Sequence, residues 1–226
     1  MSNIIRTSDF AAQSALYIVA GINKVLLSCK DCVVCLAGGN TPLPIYENLA
    51  LMKDLAWERV YIAFGDERNV PPSNDQSNYK SALDALLSKV PIPQSNIFRI
   101  EAENGLPNAA EDYGETLLGL KTSLGRDYIF DIMLLGIGND GHTASLFPGT
   151  KALEVTDKLV SVNEVPQLNT ERITLTYTAI SEAKEIIFLV NDPSKNKIME
   201  KIWNNEDLPA TKVNQLGDRV TWIVGE

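Results

Sequence analysis

The sequence predicts an α/β fold, in which a mostly parallel, Rossmann-like sheet carries helices on both faces to make three layers (α/β/α). Short apolar segments alternate along the chain with longer segments whose apolar residues recur at helical spacing. The strand candidates are continuously apolar, as expected for strands that are covered on both faces. No repeat or Pro/Gly/Ser-rich linker divides the 226 residues. We therefore expect a single domain over residues 1–226, with room for a small appended lobe.

The elements of the first half follow from apolar spacing and from turn residues. The first helix is expected to be capped by Ser8 and to run through apolar positions from Phe10 to Leu26. Pro107 suits the first turn of a later helix that reaches Leu124. Between these helices the pattern predicts strands at 32–37, 60–64 and 97–100, and helices at 43–52 and 78–88.

The second half begins with the clearest strand, at 131–135. Further strands are predicted at 159–162, 173–177, 186–190 and 220–224, and helices near 179–183 and 194–203. In open sheets of this kind ligands bind at the carboxyl ends of the strands. Those ends are therefore where chemistry is expected.

The composition excludes several classes of function. The formal net charge of −9 and the pI near 4.7 argue against general nucleic-acid binding, because no basic cluster is visible. The longest apolar runs, such as 186–190, are far shorter than the ~20 residues that span a bilayer, so no membrane association is expected. Three cysteines and no export signal predict a cytoplasmic protein.

A glycine-rich turn, Leu36-Ala-Gly-Gly-Asn-Thr-Pro42, follows the strand at 32–37. Thr41 could cap a helix that starts at Pro42, and free N–H groups beside a helix start favour an anion. A tight strand–helix turn with a good cap would use the same residues. The candidate phosphate ligands here are Gly38, Gly39, Asn40 and Thr41.

Two carboxylates and a guanidinium end the next strand, at Asp66, Glu67 and Arg68. A solvated network of exposed charges would explain them equally well. At a strand's carboxyl end, however, Asp66 could contact sugar hydroxyls, and the planar fork of Arg68 suits a phosphate.

The third strand end carries the sole histidine, His142, within Leu135-Gly-Ile-Gly-Asn-Asp-Gly-His-Thr-Ala-Ser-Leu-Phe-Pro148. A lone histidine is often structural, but this one lies among glycines beside Asp140. An imidazole in such a place is suited to taking a proton from water. The stretch also matches the G-x-G-x-x-G dinucleotide motif, but it follows a late strand and lacks an acidic residue ~20 positions on.

Metal and redox sites are poorly supplied. Cys29, Cys32 and Cys35 lack a fourth thiolate for an iron–sulfur cluster, and one histidine suits zinc poorly, so no metal is expected. Arg172 and Lys195 are most simply surface charges. Lys195 lies at a helix start, against the dipole, so an anionic partner is expected for it.

Taken together, these segments resemble the 6-phosphogluconolactonase family from about Cys35 to Val190. The resemblance rests on Ala37-Gly-Gly-Asn-Thr-Pro42, Gly65-Asp-Glu-Arg68 with Pro71-Pro72 and Ser77-Asn-Tyr79, the segment from Gly136 to Pro148, and Glu171-Arg-Ile-Thr-Leu-Thr176. It implies a sugar-phosphate hydrolase that opens 6-phospho-D-glucono-1,5-lactone in the oxidative pentose phosphate pathway without a cofactor. A monomer or small homo-oligomer is expected.

The resemblance also suggests roles. His142 would deprotonate the attacking water, and Asp140 would orient that water or the sugar. Gly39, Asn40 and Thr41 would hold the phosphate, assisted by Arg68, Arg172 or Lys195. Arg68 or loop N–H groups are the candidate donors to the oxyanion.

A sister family of similar fold, the glucosamine-6-phosphate deaminases, shares the glycine–histidine block. Its histidine is followed by a segment ending in Asn-Glu-Pro, whereas this chain has Ser145-Leu-Phe-Pro148 without a carboxylate. That difference favours lactone hydrolysis over deamination. A non-catalytic sugar-phosphate-binding module is the third alternative.

The chain departs from the lactonase pattern at Asn40, Leu43 and Asn191-Asp192, which bears on the phosphate ligands.

Overall fold

A computed structural model describes residues 2–226 and contains two sheets. The strands, in chain order, are β1 (Asn3–Thr7), β2 (Cys32–Leu36), β3 (Val60–Phe64), β4 (Asp66–Arg68), β5 (Phe130–Leu135), β6 (Val160–Val165), β7 (Thr170–Leu175), β8 (Ala183–Val190) and β9 (Val220–Gly225). The helices are α1 (Phe10–Ser28), α2 (Leu43–Ala50), α3 (Asn78–Ala82), α4 (Leu106–Ser123), α5 (Tyr177–Ser181), α6 (Asn196–Trp203) and α7 (Pro209–Asn214).

The larger sheet is entirely parallel and has the strand order β1-β9-β8-β5-β2-β3. Every residue of β2 and β5 is buried, which is why these strands are continuously apolar in the sequence. Cys32 and Cys35 lie in β2 as buried thiols, and burial raises the pKa of both. The predicted α/β fold class is confirmed.

The smaller sheet is antiparallel, with the order β4-β7-β6, and its formation was not predicted. The strands expected at 159–162 and 173–177 exist as β6 and β7, but they pair with each other instead of joining the parallel sheet. The segment 66–68, which follows the strand predicted at 60–64, is their third partner. This sheet brings Arg172 of β7 directly opposite Arg68 of β4.

Several local predictions were wrong, and one strand was missed. Asp9, not Ser8, caps α1 by accepting from Ala12 N–H. The short strand β1 was missed because most of its residues are exposed and give no buried apolar run. The strand expected at 97–100 is a single bridge between Ile97 and Ile62. The helix expected at 78–88 is α-helical only to Ala82 and continues as a π-helical turn.

Helix α1 is the one helix within residues 2–226 that is long and apolar enough to cross a membrane by length and composition alone. Its buried residues, Phe10, Ser14, Ala15, Ile18 and Ile22, belong to one stripe. Helix α1 packs against α2, β2, β5 and β9. These are the contacts of a core helix packed on a sheet.

Candidate active site

A cleft of about 220 Å³ opens at the carboxyl ends of β2, β5 and β8, where the smaller sheet approaches the larger one. This is the edge at which parallel sheets bind ligands. Of the ten predicted site residues, eight line it: Gly38, Gly39, Thr41, Asp66, Arg68, His142, Arg172 and Lys195. Asn40 and Asp140 do not line it. Residues 2–226 contain no group of three or more His, Cys, Asp or Glu side chains placed to hold a metal ion.

His142 and Asp140 form a hydrogen-bonded pair beside the cleft. The Asp140 Oδ1 atom lies 2.6 Å from His142 Nδ1 and also accepts from the His142 backbone N–H at 3.1 Å. The imidazole stacks on Phe147, with ring centroids 4.0 Å apart. The carboxylate thus assigns a proton to Nδ1, which leaves the lone pair of a neutral imidazole on Nε2.

The glycines of the 136–142 loop allow this pair to form. Gly138 N–H donates to His142 O at 2.8 Å, and Gly141 adopts φ of +82°. A Cβ atom on Gly138 would lie 2.0 Å from His142 Nδ1 and 2.5 Å from Asp140 Oδ1. Residue 138 must therefore be glycine to leave room for the His142 and Asp140 side chains.

Arg68 and Arg172 face each other across the β4–β7 pair, and both line the cleft. Among residues 2–226 neither is in a salt bridge, and the Nε atom of each is buried without a hydrogen-bond partner. Burial lowers the pKa of Arg172, and the charge of Arg68 lowers it further. Like charges placed opposite each other destabilise a sheet. The two opposed guanidinium groups would therefore be stabilised by a bound anionic ligand.

Lys195 adds a third cation to the cleft, at the start of α6. The anionic partner expected for it is not found: no carboxylate of residues 2–226 lies within 4.0 Å of its ammonium group. Asp192 lies nearby, and its carboxylate instead accepts from Ser194 N–H and caps the turn before α6. Lys195 thus remains available to a ligand.

The glycine-rich turn faces the same cleft, but its helix begins differently from the prediction. Helix α2 starts at Leu43 with Pro42 as its N-cap, and Thr41 makes no capping hydrogen bond. Gly39 adopts φ of +84°. The backbone N–H groups of Gly39, Asn40 and Thr41 donate to no acceptor within the part of the chain that the structure describes. They are open donors beside Arg68, Arg172 and Lys195, which together form the cationic wall of the cleft.

Asp66 lines the cleft but is also tied into the fold. Its Oδ2 atom accepts from the Ser145 hydroxyl at 2.6 Å, and its Oδ1 atom accepts from Asn78 Nδ2 at 2.9 Å. The Asn78 amide occupies the space that a side chain on residue 38 would need, because a Cβ on Gly38 would lie 2.0 Å from it. Asp66 therefore connects the histidine loop, through Ser145, with the glycine-rich turn, through Asn78.

Glu67 has a role that the sequence analysis missed. Its buried carboxylate accepts four hydrogen bonds, from the N–H groups of Arg68, Asn78 and Tyr79 and from the Ser77 hydroxyl. Burial raises the pKa of Glu67, and the three backbone N–H groups act in the opposite direction. The carboxylate fixes the start of α3, and through its bond to Arg68 N–H it also fixes the strand that carries that guanidinium.

We expect Glu67→Gln to lower the free energy of unfolding by about 1.5–3 kcal/mol, because a hydrogen bond to a charged group contributes about that much. An amide would direct its own N–H groups at donors. Urea denaturation measures the change. Glu111→Gln, on the exposed face of α4, is the matched control. Equal urea midpoints for the two variants would contradict this role of Glu67.

Known proteins resemble this chain over most of its length. The family model described as glucosamine-6-phosphate isomerases/6-phosphogluconolactonase matches residues 6–222. The 6-phosphogluconolactonase of Chlamydia pneumoniae is 35% identical over 91% of this chain and 80% of its own length. That of Synechocystis is 34% identical over 99% and 94%. The crystal structure of 6-phosphogluconolactonase from Thermotoga maritima superposes with a TM-score of 0.89 at 32% identity, covering 100% of both chains.

Proposed function

Because this chain belongs to the glucosamine-6-phosphate isomerase/6-phosphogluconolactonase family, we propose that it hydrolyses 6-phospho-D-glucono-1,5-lactone to 6-phospho-D-gluconate. One observation carries the proposal. The cleft that His142 lines is also lined by Arg68, Arg172 and Lys195, three cations without an ion-pair partner among residues 2–226. A base and an anion-binding wall in one small cavity suit a sugar phosphate with a reactive group at its other end.

The phosphate would bind at the cationic wall. Arg68 and Arg172 supply guanidinium forks, which match phosphate oxygens in geometry as well as in charge. The open N–H groups of the glycine-rich turn, with the Thr41 hydroxyl, supply neutral donors to the same dianion. Binding the phosphate would place C1 of the lactone near His142, so that part of the rate enhancement comes from orientation.

The chemical step would use His142 as general base. Its Nε2 atom takes a proton from a water molecule as that water attacks C1, and the carbonyl oxygen becomes an oxyanion. Asp140 does not line the cleft, so its proposed role is to hold the Nδ1 proton and to stabilise the imidazolium. When the intermediate collapses, the C1–O5 bond breaks and the imidazolium returns the proton to O5. The product is a carboxylic acid, which ionises.

The direct test is acid release from freshly generated 6-phosphogluconolactone, compared with buffer alone. We expect a rate that is proportional to protein concentration and exceeds the spontaneous hydrolysis. A rate equal to that of buffer would refute the proposal. Ammonia release from glucosamine 6-phosphate in a parallel assay would assign the chain to the deaminase branch instead. Binding of 6-phosphogluconate without turnover of the lactone would indicate a binding module.

The proposed setting is the oxidative pentose phosphate pathway in the cytoplasm. The unpaired thiols of Cys29, Cys32 and Cys35 fit a reducing compartment, since disulfides are rare there.

A further inference from the structure

Ala144, in the wall of the cleft, has a backbone conformation that L-residues rarely adopt. Its φ is +47°. The other non-glycine residues of the described chain with positive φ, Asn169 and Asn205, are asparagines, which tolerate this region far better than alanine does. Such strain persists only where the surroundings impose it.

Both neighbours of Ala144 are anchored by hydrogen bonds to other parts of the chain. The Thr143 hydroxyl donates to Gly136 O at 2.8 Å. The fully buried Ser145 is held at three points: its hydroxyl donates to Asp66, its N–H donates to Thr174 Oγ1, and its carbonyl accepts from Asn163 Nδ2. Ala144 is therefore a short strained bridge between two anchored residues.

The N–H group of Ala144 is left without an acceptor in residues 2–226, although this residue is half-buried and lines the cleft two positions after His142. An N–H that has no acceptor within the described chain, on a residue that lines a cleft, is free to donate to a bound molecule. We propose that the Ala144 N–H is the hydrogen-bond donor to the oxyanion during lactone hydrolysis. This inference rests on the proposed function.

The donor would act on the atom that gains charge. As water oxygen bonds to C1 and its proton passes to His142 Nε2, the C1–O π electrons move onto the carbonyl oxygen. The Ala144 N–H stabilises that oxyanion. When the C–O π bond re-forms, the C1–O5 bond breaks and O5 takes the proton from His142. A donor fixed in advance by the anchors needs no reorganisation during the step.

The test is replacement of Ala144 by lactic acid during translation, which changes its N–H to an ester oxygen and keeps the methyl group. We expect kcat to fall by about 10²–10³-fold. KM and the midpoint of the pH–rate profile should be unchanged, because neither phosphate binding nor the His142–Asp140 pair is altered. The control is the same replacement at Ala56, which lies outside the cleft and whose N–H also lacks an acceptor in the described chain.

A kcat for the Ala144 ester equal to that of the Ala56 ester would overturn the inference while leaving the lactonase proposal intact. Absence of lactonase activity in the unmodified protein would instead refute the proposed function itself.

A second variant covers the case in which the Ala144 ester does not fold. Ser145→Ala removes the hydroxyl that donates to Asp66, so the turn can relax and the N–H can move. We expect kcat to fall with little change in inhibition by inorganic phosphate. Ser14→Ala is the control, because Ser14 is equally buried and its hydroxyl has no partner in the described residues. Equal kcat values for these two variants would contradict a positioned donor.

Discussion

Replacing His142 by alanine is expected to lower kcat by about 10²–10⁴-fold and to leave KM nearly unchanged. In the proposed mechanism the imidazole takes the proton of the attacking water, whereas the proposed phosphate ligands lie on other strands. Steady-state assays on freshly generated lactone, corrected for spontaneous hydrolysis, measure the split between kcat and KM.

The fold of the His142→Ala variant should be retained, because the imidazole is partly exposed and its contacts are with Asp140 and Phe147. Thermal unfolding of the variant and the parent chain checks this point. A folded variant that hydrolyses the lactone as fast as the parent would remove His142 from the mechanism.

The histidine loop shows which parts of the site could be predicted from sequence. His142, the proposed general base, and Asp140 lie two positions apart, so the local sequence contains the pair. The glycines between and before them mark a loop with close backbone approach, and β5 was evident from its continuous apolar run. Even so, the direct hydrogen bond from His142 Nδ1 to Asp140 was not predicted; Asp140 had been expected to orient water or sugar.

The cationic wall was harder to predict because it depends on tertiary pairing. Arg68 and Arg172 are 104 positions apart (172 minus 68), and only the antiparallel β4–β7 ladder brings them opposite each other. In its own segment Arg172 looks like a surface charge, and a solvated charge network explains Arg68 as well as a phosphate ligand does. Glu67 was missed for the same reason: four donors surround its carboxylate, and two of them come from α3, ten or more residues away. The sequence did identify Arg68 and Arg172 as candidate phosphate ligands, but it could not show that they lie opposite each other.

Arg172→Gln is expected to raise KM for the phosphorylated lactone by about 10–150-fold, with a smaller effect on kcat. A hydrogen bond to a charged group contributes about 1.5–3 kcal/mol, and each 1.4 kcal/mol corresponds to about tenfold in affinity. Arg68→Gln should behave similarly, since the Nε atoms of both guanidinium groups are buried without a partner in the described chain. Steady-state kinetics on the phosphorylated lactone measure the effect.

Unphosphorylated glucono-1,5-lactone is the control substrate, because it has no group for the arginines to hold. Its kcat/KM should be almost the same in the parent and in both variants. The preference for the phosphorylated substrate should therefore fall by the same factor as kcat/KM for that substrate. Equal losses on the two substrates would show instead that the arginine acts on the lactone carbonyl.

Arg172→Gln should also stabilise the fold, although it weakens substrate binding. These opposite effects on stability and on binding make the prediction specific. With no anion bound, Arg68 and Arg172 repel each other across the ladder, and burial adds to the cost of the Arg172 charge. Removing one charge should therefore raise the free energy of unfolding by about 0.2–1 kcal/mol, the scale of a cross-strand pair. Inorganic phosphate should stabilise the parent chain and stabilise the Arg172→Gln variant less. If Arg172 and Arg68 are held opposite each other to bind a dianion, removing one of the two charges must stabilise the chain that has no anion bound. An Arg172→Gln variant that binds phosphate poorly and is also less stable than the parent would therefore indicate that Arg172 serves the fold.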